Sequence, residues 1–105
     1  MIKLEKGKIY KAIVNFNAKY GRITRDYMIF SPRKDYQWGE VFSITVDCFF
    51  LICRDGSFED NCFCGIWHGD KISKPSVSDM LELSNHLRRI PKLKFNRKTF
   101  TIEEQ

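Results

Sequence analysis

The chain has 105 residues, of which 43% are hydrophobic and 14% aromatic, and its formal net charge at pH 7 is +5. This length supports a single domain over residues 1–105, and this much apolar side chain excludes a chain that is disordered throughout. The first residues lack the apolar stretch of a secretory signal, and the longest apolar run, residues 48–53, is far shorter than the roughly 20 residues of a membrane span. We therefore expect a cytoplasmic protein with reduced cysteines and no membrane partner.

The charges are sorted into three consecutive blocks. Residues 1–34 hold nine Lys or Arg against two Asp or Glu, residues 35–87 hold three against nine, and residues 88–105 hold six against two. The blocks therefore carry +7, −6 and +4. Such asymmetry indicates which partners a protein attracts rather than which fold it adopts. It predicts nucleic acid or an acidic protein surface as the partner, provided that the acidic block lies away from the two basic ones.

The first third of the chain predicts two strands followed by a loop. Residues 9–16 alternate between apolar and polar side chains, which is typical of a half-buried strand. Residues 22–30 predict a second strand, and Arg25 and Asp26 near its middle indicate an edge position or a strand with only one buried face. The proline in residues 31–39 lacks a backbone donor and breaks the alternation, so this segment is predicted to be a loop.

The middle of the chain predicts the strongest strand and its return. Residues 40–54 are apolar on both faces towards their end, which is typical of a central strand that is covered above and below. Asp55 and Gly56 predict a two-residue hairpin turn, so residues 57–67 should return antiparallel. Residues 68–75 are polar and predict a loop.

The last third predicts one helix and a hairpin. Ser76 and Asp79 match a variant of the capping box, and Pro91 ends the helix. The predicted apolar stripe consists of Val77, Met80, Leu81, Leu83, Leu87 and Ile90. Residues 93–102 alternate on both sides of a polar tip. The fold class is therefore α+β, with the element order β-β-β-β-α-β-β. We expect a mainly antiparallel, twisted sheet of five to six strands with one helix packed on it. A strongly curled sheet would approach a small barrel.

The four cysteines invite a zinc site, because thiolates are preferred zinc ligands. With a two-residue turn, however, Cys48 faces Phe63 across the hairpin, which places Cys48 on the opposite face from Cys53, Cys62 and Cys64. Sulfur atoms so arranged cannot surround one ion. We therefore predict buried apolar cysteines, no metal site and no cofactor.

A catalytic set of Cys64, His68 and Asp70 can be drawn from the sequence, but no motif supports it. The cysteine is not followed by a strand-to-helix nucleophile turn or by a loop that would supply oxyanion donors. The glycines do not form a phosphate-binding loop either. The chain is therefore predicted not to be an enzyme.

Two basic regions carry the functional prediction. One is the C-terminal run of Arg89, Lys92, Lys94, Arg97 and Lys98, in which Lys92 and Lys94 should project together from the hairpin. The other joins cations to aromatic rings in the loop and the strand before it. It consists of Arg22, Arg25, Arg33, Lys34, Tyr36 and Trp38. A cationic path with stacking platforms suits single-stranded nucleic acid, and the same composition suits a protein interface. Alternatively, Tyr36 and Trp38 fold back to close the end of the core.

These observations predict a small, basic, non-enzymatic binding module that engages nucleic acid through the C-terminal hairpin and the basic aromatic loop. The alternative is a protein-binding inhibitor or adaptor that uses the same aromatic loop as its anchor. A composition rich in Lys, Ile and Phe and poor in Ala is typical of short genes from AT-rich genomes, including those of phages and mobile elements. The sequence leaves the oligomeric state open.

Overall fold

The computed structural model describes residues 2–13, 27–38, 43–54, 56–67 and 71–105. Within these ranges it has nine strands and one helix. In chain order these are β1 (Ile2–Leu4), β2 (Tyr10–Ile13), β3 (Tyr27–Pro32), β4 (Tyr36–Trp38), β5 (Ser43–Cys53), β6 (Phe58–Trp67), β7 (Lys71–Ser73), α1 (Val77–Leu87), β8 (Leu93–Asn96) and β9 (Thr101–Glu104). The helix has 11 residues. No helix in the described ranges has the length and apolar character that a membrane crossing requires.

The main sheet has five strands in the order β6-β5-β3-β2-β7, and all neighbours are antiparallel. Two small antiparallel pairs, β1 with β4 and β8 with β9, complete the described structure. The α+β class, the single helix and the mainly antiparallel sheet are thereby confirmed. The outer strands β6 and β7 do not pair with each other, so the sheet does not close into a barrel in the described part of the chain.

Several predicted elements were wrong in detail. The segment predicted as a loop at residues 31–39 contains the end of β3 and all of β4, because β4 pairs with the unpredicted strand β1. The predicted polar loop at residues 68–75 contains β7, which pairs with β2. The strand predicted to lie at an edge, or to bury only one face, is β3. It is central, with β5 on one side and β2 on the other, and it buries Met28 and Phe30 on one face and Ile29 on the other. The predicted order β-β-β-β-α-β-β therefore missed three short strands that exist through distant pairing.

A bulge in β5 changes the alternation of side chains between the two faces of the sheet. Phe30 pairs with Leu51 but Pro32 pairs with Cys48, so two residues of β5 lie opposite one residue of β3. In the neighbouring strand, Asn61 has a left-handed φ of 59° close to the same place. Because side chains alternate between faces, one extra residue reverses the face of every residue beyond it.

Two hydrophobic clusters result. The cysteine-side core lies on one face and includes Leu4, Phe30, Val46, Cys48, Leu51, Cys53, Cys62, Cys64 and Ile66. The helix-side core lies on the other and includes Ile9, Ile29, Phe49, Phe50, Ile52, Met80, Leu83, Leu87, Ile90, Leu93 and Ile102. The prediction that Cys48 faces away from the other three cysteines was therefore wrong. The hairpin turn has three residues, since the Cys53 nitrogen donates to the Ser57 carbonyl at 3.0 Å, and this changes the pairing by one residue.

Helix α1 begins as predicted, at Ser76, where both hydrogen bonds of a capping box are present. Met80, Leu83 and Leu87 face the sheet at helical spacing and are buried. Val77 and Leu81, which were predicted to lie in the same stripe, are instead exposed. The predicted stripe was too wide, because a helix packed on a sheet buries only one face.

The terminal hairpin packs beside the segment that joins β1 and β2. The Ile102 nitrogen donates to the Gly7 carbonyl at 2.7 Å, and Lys8 forms an isolated bridge with Thr101. Gly7 has a φ of +79°, and a Cβ atom there would lie 2.9 Å from the Ile102 carbonyl oxygen. This position therefore requires glycine, both for its backbone conformation and for the close approach of β9.

Candidate functional site

Arg33, predicted as a contact for nucleic acid or a partner, is bound within the protein. Its Nη1 lies 3.0 Å from Glu104 Oε1, and its Nε lies 3.5 Å from Asp47 Oδ1. Nε also donates to the Cys48 carbonyl at 3.3 Å, and the guanidinium carbon lies 4.8 Å from the centre of the Phe49 ring. These contacts connect the β3–β4 segment with β5 and β9. Arg33 therefore stabilises the fold at a junction of three segments.

The aromatic loop is likewise engaged in packing. The Tyr36 hydroxyl accepts a hydrogen bond from the Asp47 backbone nitrogen at 2.9 Å, and its half-buried ring packs on the cysteine-side core. The Lys34 ammonium lies 5.4 Å from the centre of this ring. Tyr36 therefore folds back onto the core, as the alternative prediction for this loop had it. Arg22, Arg25 and the side chain of Trp38 lie outside the described residues.

The C-terminal basic residues differ in their surroundings. Lys92 Nζ lies 3.3 Å from Asp60 Oδ2, and Lys94 pairs in register with Glu103. Arg89 is exposed just beyond the end of α1, while Arg97 and Lys98 are exposed in the turn between β8 and β9. Because Glu103 lies opposite Lys94, this part of the hairpin carries negative charge as well as positive charge.

The predicted separation of the charge blocks is therefore not found at these positions. Asp60, from the acidic block, contacts the C-terminal basic block, and Asp47 contacts the N-terminal one. The physical reason is that β5 and β6 lie against the segments that carry the basic residues, where opposite charges attract.

A groove between α1 and the turn of the β8–β9 hairpin has the character of a binding site. Its volume is about 550 Å³, within the usual range for ligand pockets. Its lining, mostly apolar, consists of Lys74, Pro75, Ser76, Val77, Met80, Leu81, Ser84, Phe95, Arg97 and Phe100. Val77 is 80% exposed and Leu81 is 61% exposed. Two large aliphatic side chains on one helix therefore present apolar surface to solvent beside two aromatic rings.

Phe100 forms the end wall of this groove. Its φ of 60° lies in the left-handed region, which a bulky side chain rarely adopts. The Asn96 side chain supports the turn by accepting from the backbone nitrogens of Lys98 and Thr99, and the Phe100 nitrogen donates to the Asn96 carbonyl at 2.9 Å. The Phe100 ring meets that of Phe95 edge to face. The turn thus holds an aromatic ring against the groove at a conformational cost.

A second cavity of about 430 Å³ adjoins the first beyond Phe100. Both cavities are lined by Phe100 and Lys74, and the Lys74 ammonium lies 5.0 Å from the centre of the Phe100 ring. The second cavity extends along Ile9, Tyr10 and Ile72. The two cavities therefore adjoin at Lys74 and Phe100, and together they are here called the α1–hairpin groove.

The charged side chains that line the α1–hairpin groove are basic. They are Lys74, Arg97 and Lys8, of which Lys8 is paired with Glu5 at 2.7 Å, and no acidic side chain of the described residues lines it. Asp79, on the first turn of α1, is directed elsewhere: its Oδ2 accepts from Lys11 Nζ at 3.1 Å and from the Ser76 nitrogen at 2.8 Å. The groove therefore favours an occupant that combines apolar side chains with negative charge.

Most of the residues of this groove were not predicted as a site. Val77 and Leu81 were assigned to the buried stripe, although Met80, Leu83 and Leu87 alone give the spacing of one packed face. Among the predicted site residues that the structure describes, only Arg97 lines the groove. In the described ranges, no group of three or more His, Cys, Asp or Glu side chains has an arrangement that could hold a metal ion. His68 and Asp70, from the catalytic set drawn with Cys64, lie outside the described residues.

Comparison with known proteins found no family model, curated protein or solved structure that matches this chain.

Proposed function

We propose that this protein is a non-enzymatic, cytoplasmic protein-binding module, an inhibitor or adaptor whose α1–hairpin groove takes an acidic, apolar segment of its partner. The observation that carries the proposal is the exposure of Val77 and Leu81 beside a groove of about 550 Å³ with a cationic rim. The anchor is therefore this groove rather than the aromatic loop, in which Arg33 and Tyr36 have partners inside the protein.

Energetics support such a segment as the occupant. Covering an exposed aliphatic side chain removes apolar area from water at about 25 cal/mol per Å². Val77, Leu81 and Phe100 line the same cavity, so apolar side chains of a partner that enters it can cover them. A carboxylate on the same segment would meet Lys74 or Arg97 at the rim, which favours fast association and correct orientation more than affinity.

The test begins with a probe, because the natural partner is unidentified. Random peptides displayed on phage are selected against the immobilised full chain, and enriched peptides are synthesised with a fluorescent label. We expect them to combine large apolar residues with Asp or Glu. Titrated into ¹⁵N-labelled protein, they should shift the amide resonances of Val77, Leu81 and Phe100 more than those of β6.

Two alanine variants make this test specific. Leu81→Ala should weaken peptide binding by about 2 kcal/mol, about thirtyfold in Kd, as for a central contact residue. Phe63→Ala is the matched control, because Phe63 is 73% exposed on β6, away from the groove lining. Because both side chains are exposed, neither substitution should change the free energy of unfolding by more than about 0.5 kcal/mol. Equal effects of the two variants, or no enriched peptide, would refute the proposal.

Nucleic-acid binding is the second candidate, and one specific observation favours it. Lys94, Arg97 and Lys98 are exposed on the β8–β9 hairpin, and none of them makes an ion pair within the described ranges. Together with the exposed Arg88 and Arg89 they offer contacts for a phosphate backbone.

This candidate is tested by the fluorescence anisotropy of labelled single- and double-stranded RNA and DNA at increasing salt. Binding that survives near physiological salt, with a log–log slope of several units, would support it. The triple charge reversal of Lys94, Arg97 and Lys98 to Glu should then abolish binding. Binding that is absent at low salt, or that is unaffected by the triple variant, would exclude this role for the hairpin.

A further inference from the structure

Three of the four cysteines meet in the cysteine-side core where β5 pairs with β6. Cys48 and Cys62 are direct cross-strand partners, and Cys64 lies two residues further along β6. The Sγ atoms of Cys48 and Cys64 are 3.0 Å apart, which is only about 1 Å longer than a disulfide bond. The two sulfur atoms are therefore already in direct contact, as the closure of a disulfide requires.

The hydrogen bonds among these thiols shift their pKa values in opposite directions. Contacts with Cys62 and Cys64 raise the pKa of the Cys48 thiol, and the contact with Cys48 lowers the pKa of the Cys62 thiol. Cys48 therefore retains its proton, and the thiolate form is favoured at Cys62. Since the thiolate is the reactive form of cysteine, Cys48 is not the first thiol to react.

We propose that Cys48 and Cys64 form a reversible oxidation site, which closes to a disulfide when the protein meets hydrogen peroxide. The Cys64 sulfur attacks one peroxide oxygen, the O–O bond breaks, and the leaving hydroxide takes the thiol proton to become water. The Cys48 sulfur then attacks the resulting Cys64 sulfenic acid, the S–O bond breaks, and a second water leaves with the Cys48 proton. The two sulfurs give two electrons to the peroxide, and a dithiol reductant reverses the bond.

The positions of the two residues suit these roles. Cys64 keeps 6% of its surface exposed and lies on β6, which has a paired neighbour on one side only within the described sheet. Cys48 is fully buried on β5, whereas Cys62 and Cys64 keep 8% and 6% of their surface exposed, so a small oxidant reaches the β6 thiols first. Of these two, Cys64 is the one whose sulfur lies 3.0 Å from that of Cys48. The disulfide would connect β6 covalently to the centre of the sheet. This site is separate from the α1–hairpin groove, so either proposal can fail without the other.

The experiment maps the thiols of the intact chain. The reduced protein is treated with hydrogen peroxide, unfolded, alkylated and digested with chymotrypsin, which cleaves after Phe63 and so separates Cys62 from Cys64. We expect two of the four thiols to escape alkylation, one linked peptide pair to contain Cys48 and Cys64, and dithiothreitol to restore both. Alkylation of all four thiols, a linked pair that contains Cys62 or Cys53, or oxidation that stops at sulfinic acid would overturn the proposal.

Two variants serve as test and matched control. Cys64→Ala should abolish the protected pair, whereas Cys53→Ala, which alters a cysteine buried in the same core, should leave it intact. Loss of the pair in both variants, or in neither, would contradict the assignment. If a variant does not fold, the peptide map of the unaltered chain decides alone.

Discussion

Asp79 joins helix α1 to the sheet, and its replacement gives the most specific prediction about stability. Its side chain is 8% exposed, and Oδ2 lies 3.1 Å from Lys11 Nζ on β2. The same oxygen accepts from the Ser76 nitrogen at 2.8 Å, while Ser76 Oγ accepts from the Asp79 nitrogen at 3.2 Å. One carboxylate therefore both starts the helix and fixes the side of the α1–hairpin groove that the helix provides.

The expected loss for Asp79→Ala follows from these contacts. A hydrogen bond to a charged group contributes about 1.5–3 kcal/mol, and loss of a capping side chain costs about 1 kcal/mol. Lys11 remains 22% exposed and 4.5 Å from the centre of the Tyr27 ring, so water and the ring partly compensate its charge. We expect a loss of about 3 kcal/mol in the free energy of unfolding. With a slope of about 2 kcal/mol per molar urea, the midpoint should fall by about 1.5 M.

The same carboxylate predicts how stability depends on pH. Burial alone would raise the pKa of Asp79, but the hydrogen bonds from Ser76 and the charge of Lys11 outweigh it and hold the pKa below its usual value. The folded state therefore binds the proton less readily than the unfolded state. Its contribution is complete above the unfolded pKa of about 4 and is lost as pH falls through the lower folded pKa. The stability difference between the unaltered chain and Asp79→Asn, which keeps an acceptor but no charge, should shrink under acid conditions.

A short but exposed ion pair provides the control. Glu5 Oε2 lies 2.7 Å from Lys8 Nζ, yet both side chains are about half exposed, so Glu5→Gln should cost less than about 1 kcal/mol. Urea unfolding followed by circular dichroism at neutral and acid pH measures both variants. Equal losses for Asp79→Ala and Glu5→Gln, or a difference for Asp79→Asn that does not change with pH, would refute the reasoning.

Three further predictions concern backbone conformation and the thiols. Phe100→Gly should be about 1 kcal/mol more stable than Phe100→Ala, because only glycine adopts the φ of 60° without strain; equal urea midpoints would contradict this. Gly7→Ala should lower stability by at least about 1 kcal/mol, because its Cβ would lie 2.9 Å from a carbonyl oxygen of β9, whereas Gly65→Ala, which has open space, should not. The oxidised form joined through Cys48 and Cys64 should be about 3 kcal/mol more stable than the reduced form, since the bond closes a loop of roughly 15 residues in the unfolded chain; an unchanged midpoint after oxidation would contradict this.

The elements that could be predicted from the sequence are those determined by neighbouring residues. The start of α1 at Ser76, the reversal near Gly56 and the terminal hairpin each depend on a few adjacent side chains, and all three are present. Gly56 has a φ of +82°, as a residue closing such a turn requires. Local chemistry therefore identified where the chain turns and where its helix begins.

The elements that were missed depend on distant partners. Strands β1, β4 and β7 have three residues each, too few for a periodic pattern, and they exist because β4 pairs with β1 and β7 with β2. The bulge in β5 depends on the fit to β3, and neither strand indicates it alone. One additional residue in the turn and one in the bulge decided which face carries Cys48, and hence whether a thiol pair exists. Register is a property of the assembled sheet, so side-chain alternation along one strand could not determine it.

The charge blocks illustrate the same limit for the candidate site. Four ion pairs of the described residues each join a basic block to the acidic one: Lys3 with Asp35, Lys11 with Asp79, Arg33 with Asp47, and Lys92 with Asp60. Opposite charges far apart in the sequence thus stabilise contacts within the fold, and they do not form two opposed surfaces. The attraction for an acidic partner then depends on cations that line the α1–hairpin groove, such as Lys74 and Arg97, and not on the net charge of a block. Because these cations are exposed, salt should weaken peptide binding only modestly, whereas removal of Leu81 should weaken it strongly.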